Sequence, residues 1–588
     1  VPLYVEEMTK AVLESGALRE TAGAWVLDGP LDRLAIPASL HDSLMARLDR
    51  LQPVKEVAQT AAVIGRAFDL ATLRALSPLP EAALAEALER LVAAELVFRR
   101  GAAPETSYLF KHALVRDAAY ESLLRSRRQA LHRHLVAILE TTGAEPELLA
   151  RHAQAGGETA RAVAWWRAAA KAAIGRGAFD EAAAHLDAAQ ALTPGLPDER
   201  ARRGAVAGVA AARALASLVR DGYADPRTVS LYAEAAALAR EADDPAVLLS
   251  ATYGVWAGHH VADAVGPALA VAAEIRGDAA RTGDTDLEMM GDRSLAVSLT
   301  MAGRFDEARS AYERATALYD PSRHRAYAAD IGVDPIVGTK CYSALAELAL
   351  GHADRASSLI DEARILSKLA GGLNGQGYML YHAAALAAAA RRSAEAVALA
   401  EELGALSSRH GLALWGSMAP GVAGIGRLEL GDARAALAQF AQWLTDAEAT
   451  RAGVLAALKR AAMAEAMAVT GEDAALAMAV AAETHARRTG ARYALAEAQR
   501  RHGIVLRLLR PDNHADAEAA FRRAIATARE QNARLWELRA ACDLARLLDN
   551  EDRGAEARAL LAPLCDGFTE GLDTPDLIDA WALLDHAP

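Results

Sequence analysis

Met301-Ala302-Gly303-Arg304-Phe305-Asp306-Glu307-Ala308 is a small turn followed by a helix that opens on acidic residues. Weaker copies recur down most of the chain. A glycine or an equivalent polar breaker stands before such a helix at Gly177, Gly222, Gly258, Gly303, Gly351, Arg392, Gly431, Gly471, Asn513 and Gly554, in steps of 36 to 48 residues. A period in that range marks stacked helix pairs, none of which buries its apolar face alone. About two thirds of the chain therefore reads as a binding surface rather than a catalytic core.

The composition agrees. Of 588 residues, 53% are hydrophobic but only 5% aromatic, and Ala and Leu dominate. Small residues suit closely approaching helices, whereas a β-rich fold wants alternating Val, Ile, Thr and aromatic runs. An almost entirely helical protein follows. Its net charge of −13 makes the chain as a whole a poor partner for nucleic acid, which is gripped by clustered Lys and Arg.

Cys341, Cys542 and Cys565 are too few and too scattered for a disulfide framework, which predicts a reducing, cytoplasmic setting. Residues 1–7 carry a proline and two acids with no basic stretch, unlike a secretory signal. The longest apolar run, 378–390, contains His382 and is too short to span a bilayer, so no membrane partner is expected. The chain opens on Val1 within a helix-like pattern, and we expect it to belong to a longer polypeptide.

Residues 1–52 read as a helix running to Gly16, a short extended piece at Trp25-Val26-Leu27 closed by Gly29-Pro30, and a second helix over 42–51 with Ser39 as its cap. Residues 53–145 read as helices over 54–64, 68–76 and 82–94, then a hairpin. Its strands are Leu96-Val97-Phe98-Arg99-Arg100 and Ser107-Tyr108-Leu109-Phe110-Lys111, joined at Gly101-Ala102-Ala103-Pro104. Three helices and a hairpin are the order of a winged helix. Arg125, Arg127, Arg128 and Arg133 form a basic cluster on the next helix, where a solvated face is the default reading. His132 and His134 lie two apart, on opposite sides of that helix, a spacing that does not suit zinc.

Two strings carry a resemblance. Val1-Pro2-Leu3-Tyr4-Val5-Glu6-Glu7-Met8 followed by Ile36-Pro37-Ala38-Ser39-Leu40, and Phe110-Lys111-His112-Ala113-Leu114-Val115-Arg116-Asp117, are similar to the lid and winged-helix end of signal-transduction P-loop ATPases. The resemblance implies that Pro2 belongs to a lid motif contacting the nucleotide base. It also implies that His112 senses the phosphates of ATP or ADP, a role that suits an imidazole. Arg116 and Asp117 are expected to make local salt bridges instead. As backbone alternatives, Pro2 opens a helix and His112 caps one.

From residue 146 to 588, units such as Gly177-Ala178-Phe179-Asp180-Glu181-Ala182 and Leu430-Gly431-Asp432-Ala433-Arg434-Ala435 repeat one grammar. They resemble tetratricopeptide repeats stretched beyond their usual period of about 34 residues, which longer helices would explain. Asp334-Pro335 with Val337, Cys341 and Tyr342, and the ending through Trp536, Phe568 and Asp573-Thr574-Pro575, resemble a bacterial family. In that family a class III nucleotide cyclase is fused to a predicted ATPase and tetratricopeptide-like repeats.

The expected fold class is thus all-α: a partial ATPase lid over 1–52, a winged-helix-like domain over 53–145 and a tetratricopeptide-like α-solenoid over 146–588. The sequence contains no GxxxxGK[ST] and no GxSxG string. The string from Gly332 to Lys340 has the wrong spacing and order for a phosphate loop. His259-His260 has no partners at metal spacing.

These readings predict a regulatory, ligand- or protein-sensing region of a nucleotide-dependent signalling ATPase or adenylate cyclase-like protein. Any catalysis and the remainder of an ATP/ADP site would come from residues upstream, and no metal is expected on this chain. A protein or small molecule would bind a concave face of the array. The rival reading is a self-sufficient helical-repeat adaptor without nucleotide binding.

Overall fold

The computed structural model describes residues 9, 18–21, 24–27, 45, 47–49, 54–101 and 106–586. Its contacts divide the chain into two compact units, Val1–Ala205 and Val206–Pro588. The division at 205 falls within the stretch expected as array, and the expected boundary near 145 falls within the first unit. Of the helix expected over 2–16 only Thr9 is described, as helical, and the Ser39 cap lies outside the described residues.

In the first unit, Leu18–Thr21 pairs antiparallel with Ala24–Leu27. Then come helix Val54–Ile64, strand Ala67–Asp69, helices Leu70–Leu76 and Glu81–Ala93, and strands Val97–Arg100 and Ser107–Phe110. Ser107–Phe110 lies between the other two strands and runs antiparallel to both. This is winged-helix order and topology.

Residues 68 and 69 were expected to begin a helix and instead belong to strand Ala67–Asp69. Phe68 is buried against the rings of Tyr108 and Phe110, both with centroids 5.6 Å away, which demands strand alternation there. The next helix then starts at an Asp69 cap that accepts from the Thr72 amide. The third helix, Glu81–Ala93, exposes Glu81, Glu86 and Glu89, of which Glu81 pairs with Arg74 and Glu89 with Arg99.

The second unit is a run of antiparallel helix pairs, among them Ala353–Ala370 with Leu373–Ala389 and Ser393–His410 with Ala413–Glu429. Helices of 17 and 18 residues account for the long period. The first helix of each pair is amphipathic. The second is buried nearly all round, as in Pro335–Leu350 and Leu373–Ala389. Glycines let aromatic rings sit directly on neighbouring helices: a Cβ at Gly424 would lie 2.7 Å from the Phe440 ring, and one at Gly503 2.6 Å from Phe521.

Second helices are buried because the array winds tightly enough to touch itself. The Arg451 guanidinium meets Asp225 at 2.8 Å, and the Gly453 amide donates to the Val261 carbonyl at 2.7 Å. The Gly571 amide donates to Asp354 at 3.1 Å, and Arg539 donates to the Ala389 carbonyl at 2.7 Å. The expected concave face is filled by core. Gly258, read as a breaker, lies inside helix Pro245–Val261, and the turn comes at Ala262 and Asp263. Among the described residues, no helix is long and apolar enough to cross a membrane.

Candidate functional site

Pro2 lies outside the described residues. His112 stands immediately before helix Ala113–Glu121 with extended backbone, and its side chain makes no capping hydrogen bond. Its Nε2 is buried without a hydrogen-bond partner. Arg116 donates to the Ala62 carbonyl at 3.0 Å and pairs with Asp117 at 2.9 Å, the local role expected of both. His132 is buried, with its Nδ1 3.0 Å from the Nδ1 of His152 and its Nε2 2.9 Å from the Tyr120 hydroxyl, whereas His134 is exposed. Among the described residues, Glu147, Glu181 and His185 come together at metal-ligand spacing. Arg151 holds Glu147 at 2.7 Å and Arg176 holds Glu181 at 2.8 Å, so these acids already have counter-charges.

The more distinctive site is a chamber in the second unit. It is built where five successive second helices converge: Pro245–Val261, Thr285–Met301, Pro335–Leu350, Leu373–Ala389 and Ala413–Glu429. Its volume is about 60 Å³. A single water needs roughly 10–15 Å³ on this measure, so the chamber admits a few waters or one small ligand group. Tyr253, Trp256, Tyr342, Tyr378, Tyr381 and Trp415 supply aromatic wall. Tyr223, His260 and Asn374 are only half-buried and form the accessible side.

The walls are braced. His260 stacks on Trp256 at 5.1 Å with planes 4° apart, and its Nε2 lies 2.6 Å from the Tyr342 hydroxyl. Trp415 Nε1 donates to Asn374 Oδ1, and Asn374 Nδ2 donates to the Gly332 carbonyl, both at 2.7 Å. His382 stacks on Tyr378 at 4.1 Å, and its Nδ1 donates to the Tyr378 carbonyl at 2.8 Å.

Arg293 reaches into this aromatic setting while only 1% exposed. Its guanidinium carbon lies 5.5 Å from the ring centroids of both Tyr253 and Trp256, and Nε donates to the Pro335 carbonyl at 3.3 Å. Burial works against the Arg293 charge, yet its pKa stays above the ordinary guanidinium value, so the cation persists. Burial pushes His260 down to about 3 and His382 down to about 4, so both imidazoles are neutral. Burial also raises Tyr342 and Tyr378 far above the usual phenol range. The chamber therefore carries one fixed positive charge. Its remaining polar groups are neutral.

Sequence reading missed this site, although it singled out Tyr342, the run 378–390 and the His259-His260 pair, which contribute to it. The available signal was the aromatic distribution. In a chain with 5% aromatic residues, Tyr253, Trp256, Tyr342, Tyr378, Tyr381 and Trp415 fall on the second helices of nearby pairs.

Lys459 sits behind Tyr381, 1% exposed, with its ammonium 5.5 Å from the Tyr381 ring centroid and 5.3 Å from that of Trp443. Nζ donates to the Val454 carbonyl at 3.0 Å. Burial pushes its pKa down to about 7 from 10.5, so between these values the unfolded chain holds a proton that the folded chain lacks. The stability this group contributes therefore rises with pH across that window, and its cost is fully present below it. Lys459→Met should be more stable than the parent at pH 7, by roughly 1–4 kcal/mol, the range seen when buried charges become apolar. Urea titrations at pH 7 and 9 should show the advantage narrowing at the higher pH.

No family model matches the chain. An uncharacterized protein of Rhizobium meliloti (strain 1021) is 28% identical over 468 residues, covering 69% of this chain and 44% of that protein. The chain thus spans under half the length of this relative. Among solved structures, a signal transduction ATPase with numerous domains and a tetratricopeptide repeat sensor, from Pyrococcus horikoshii, is similar at 11% identity and a TM-score of 0.29. That similarity covers 94% of this chain and 67% of the other. Yeast Tom70 is similar at 12% identity and a TM-score of 0.28, covering 79% and 96%.

Proposed function

We propose that this chain is the ligand-sensing, regulatory part of a larger nucleotide-dependent signalling ATPase, of the type resembling cyclase-linked proteins. The observation that carries the sensing role is the chamber around Arg293, a built pocket with polar groups left unmatched inside the helical core. Ligand binding there would regulate only by preferring one of two states of the whole protein.

The nucleotide half of the proposal rests on the resemblance at 1–8 and 110–117 and on His112. A buried, partnerless imidazole nitrogen at a helix start fits contact with a phosphate oxygen, because exposed helical amides there favour an anion. ATP or ADP would bring the phosphate charge that His112 reads, and the phosphate-cradling loop would come from another part of the polypeptide. The test uses protein extended to include the ATPase module. His112→Ala should raise basal ATP turnover and speed ADP release at least fivefold, the low end of a coupling of ~1–3 kcal/mol. Unchanged turnover and ADP retention would reject His112 as the sensor.

An adaptor without nucleotide binding is the second reading. Ile365 and Leu369, one turn apart on helix Ala353–Ala370, are 63% and 62% exposed. Lys368, Met379, Leu380 and Leu399 line the groove alongside that helix. If labelled ADP and ATP bind neither this chain nor the extended protein at equilibrium, the adaptor reading replaces the first.

A further inference from the structure

We infer that the chamber's ligand is a small carboxylate, held by Arg293 and the Tyr378 hydroxyl with its apolar body against the aromatic walls. This rests on the sensing role proposed above and adds the chemistry of what is sensed.

The starting point is an unbalanced charge. Arg293 is a permanent cation, 1% exposed, and no ion pair to it is present among the described residues. Taking an ion out of water without a partner costs several kcal/mol, so buried charges ordinarily come with counter-charges. The other deeply buried arginines of this unit obey that rule: Arg501 meets Glu429 and Glu465 at 2.6 Å, and Arg539 meets Asp576 at 2.7 Å. Arg293 departs from it. Its immediate neighbour Asp292 offers no relief, because Arg276 and Arg314 claim that carboxylate at 3.2 and 2.9 Å.

The second observation is a cluster of unmatched polar atoms. Arg293 Nη1, Tyr378 Oη, Tyr381 Oη and His382 Nε2 are all buried without a hydrogen-bond partner, and all four residues line the chamber. Leaving one buried polar group unsatisfied costs about 1–3 kcal/mol, and four in one chamber point to a missing partner. Arg293 and Tyr378 also stand side by side at Gly338. A Cβ at Gly338 would collide with the Arg293 guanidinium and lie 3.1 Å from Tyr378 Oη. The glycine thus makes room for the guanidinium, so that a fork donor and a hydroxyl donor stand together. A carboxylate accepts from both.

Charge and size narrow the class. One fixed positive charge with neutral His260 and His382 matches a single negative charge. A phosphate monoester carries about −1.5 to −2 at neutral pH and would want a second cation. The chamber of about 60 Å³ and its ring-lined walls suit a short aliphatic or aromatic body. His382 donates through Nδ1, so its Nε2 remains free to accept from a ligand hydroxyl.

The test is calorimetric titration of the full 588-residue chain with butyrate, 3-hydroxybutyrate and benzoate. Butyramide, 3-hydroxybutyramide, benzamide and inorganic phosphate run alongside at matched ionic strength. At least one carboxylate should bind saturably, with its amide at least tenfold weaker. Arg293→Met should lose that binding with unchanged circular dichroism and an equal or higher melting midpoint. Tyr378→Phe, which keeps the ring, should weaken binding severalfold and serves if the arginine variant does not fold.

Equal binding of carboxylate and amide would overturn the carboxylate assignment and leave the sensing chamber standing. Phosphate binding as tightly as the best carboxylate would overturn it in favour of a general anion site. Binding by none of the three carboxylates or their amides would overturn both the carboxylate assignment and the chamber's sensing role.

Discussion

Arg501→Met should destabilise the second unit by about 3–5 kcal/mol, the cost of stranding buried charges. Arg501 is the hub of a network joining four second helices. Its Nε donates to Glu497 at 2.9 Å, and its two terminal nitrogens reach Glu465 and Glu429, each at 2.6 Å. Arg500 adds bonds to Glu497 at 2.6 Å and Asp543 at 2.5 Å. Methionine keeps most of the volume but leaves Glu429 and Glu465 facing each other.

The pH dependence separates this electrostatic loss from simple packing damage. In the parent, burial pushes the Glu497 and Glu429 carboxyls up, but Arg500 and Arg501 outweigh it and hold both below the usual range. Their contribution to stability is therefore present above the unfolded pKa and is lost as pH falls through the lower folded value. Burial already raises Glu465, with Arg501 pulling it back. Once Arg501 is gone, Glu429 and Glu465 should titrate above their unfolded values and take up protons as pH falls. The deficit of the variant should be largest near pH 7–8 and shrink toward pH 5, read from urea midpoints by tryptophan fluorescence. A deficit that does not change with pH would mean that packing, not charge, sets the loss.

The repeat grammar was legible because its breakers have a local cause. Gly303, Gly351, Gly431 and Gly471 all end helices at positive φ, between 73° and 95°, which an L side chain rarely adopts. Gly258 looked the same in sequence but serves close packing: a Cβ there would lie 2.5 Å from Val229. One residue type met two different physical demands, and only the second depends on tertiary contact. The closure of the array was illegible for a related reason. It is set by small rotations between repeats that accumulate until Asp225 meets Arg451 and Asp263 meets His485.

The candidate site hid behind an ordinary charge pattern. Asp292-Arg293 is an adjacent pair of opposite charges, but neighbours on a helix point in different directions. Asp292 turns to Arg276 and Arg314, and Arg293 turns into the chamber. Both are buried, and which of the two faces the chamber depends on the winding that the sequence pattern does not encode. His112 was singled out for the opposite reason: it lies in a contiguous string, Phe110 to Asp117, whose resemblance needs no tertiary information.

Phe521→Ala should cost about 3–5 kcal/mol, the range for emptying a buried aromatic site. Phe521 is 0% exposed and belongs to a core with Ile504, Leu538, Leu544 and Leu548. Its ring rests on Gly503, so the helix His514–Glu530 approaches Leu495–Leu509 at the one point that lacks a side chain. Gly503→Ala in the parent drives a methyl into that ring and should cost about 1–3 kcal/mol. The two changes should not add. Once the ring is removed, a methyl at position 503 enters empty space and recovers some packing, so the double variant should be no less stable than Phe521→Ala alone. A coupling of at least ~1 kcal/mol in a double-mutant cycle, from urea unfolding of the four proteins, would establish the ring-on-glycine contact. Strict additivity would mean that the helices part on losing either group. The contact would then be a consequence of the array's winding rather than one of its causes.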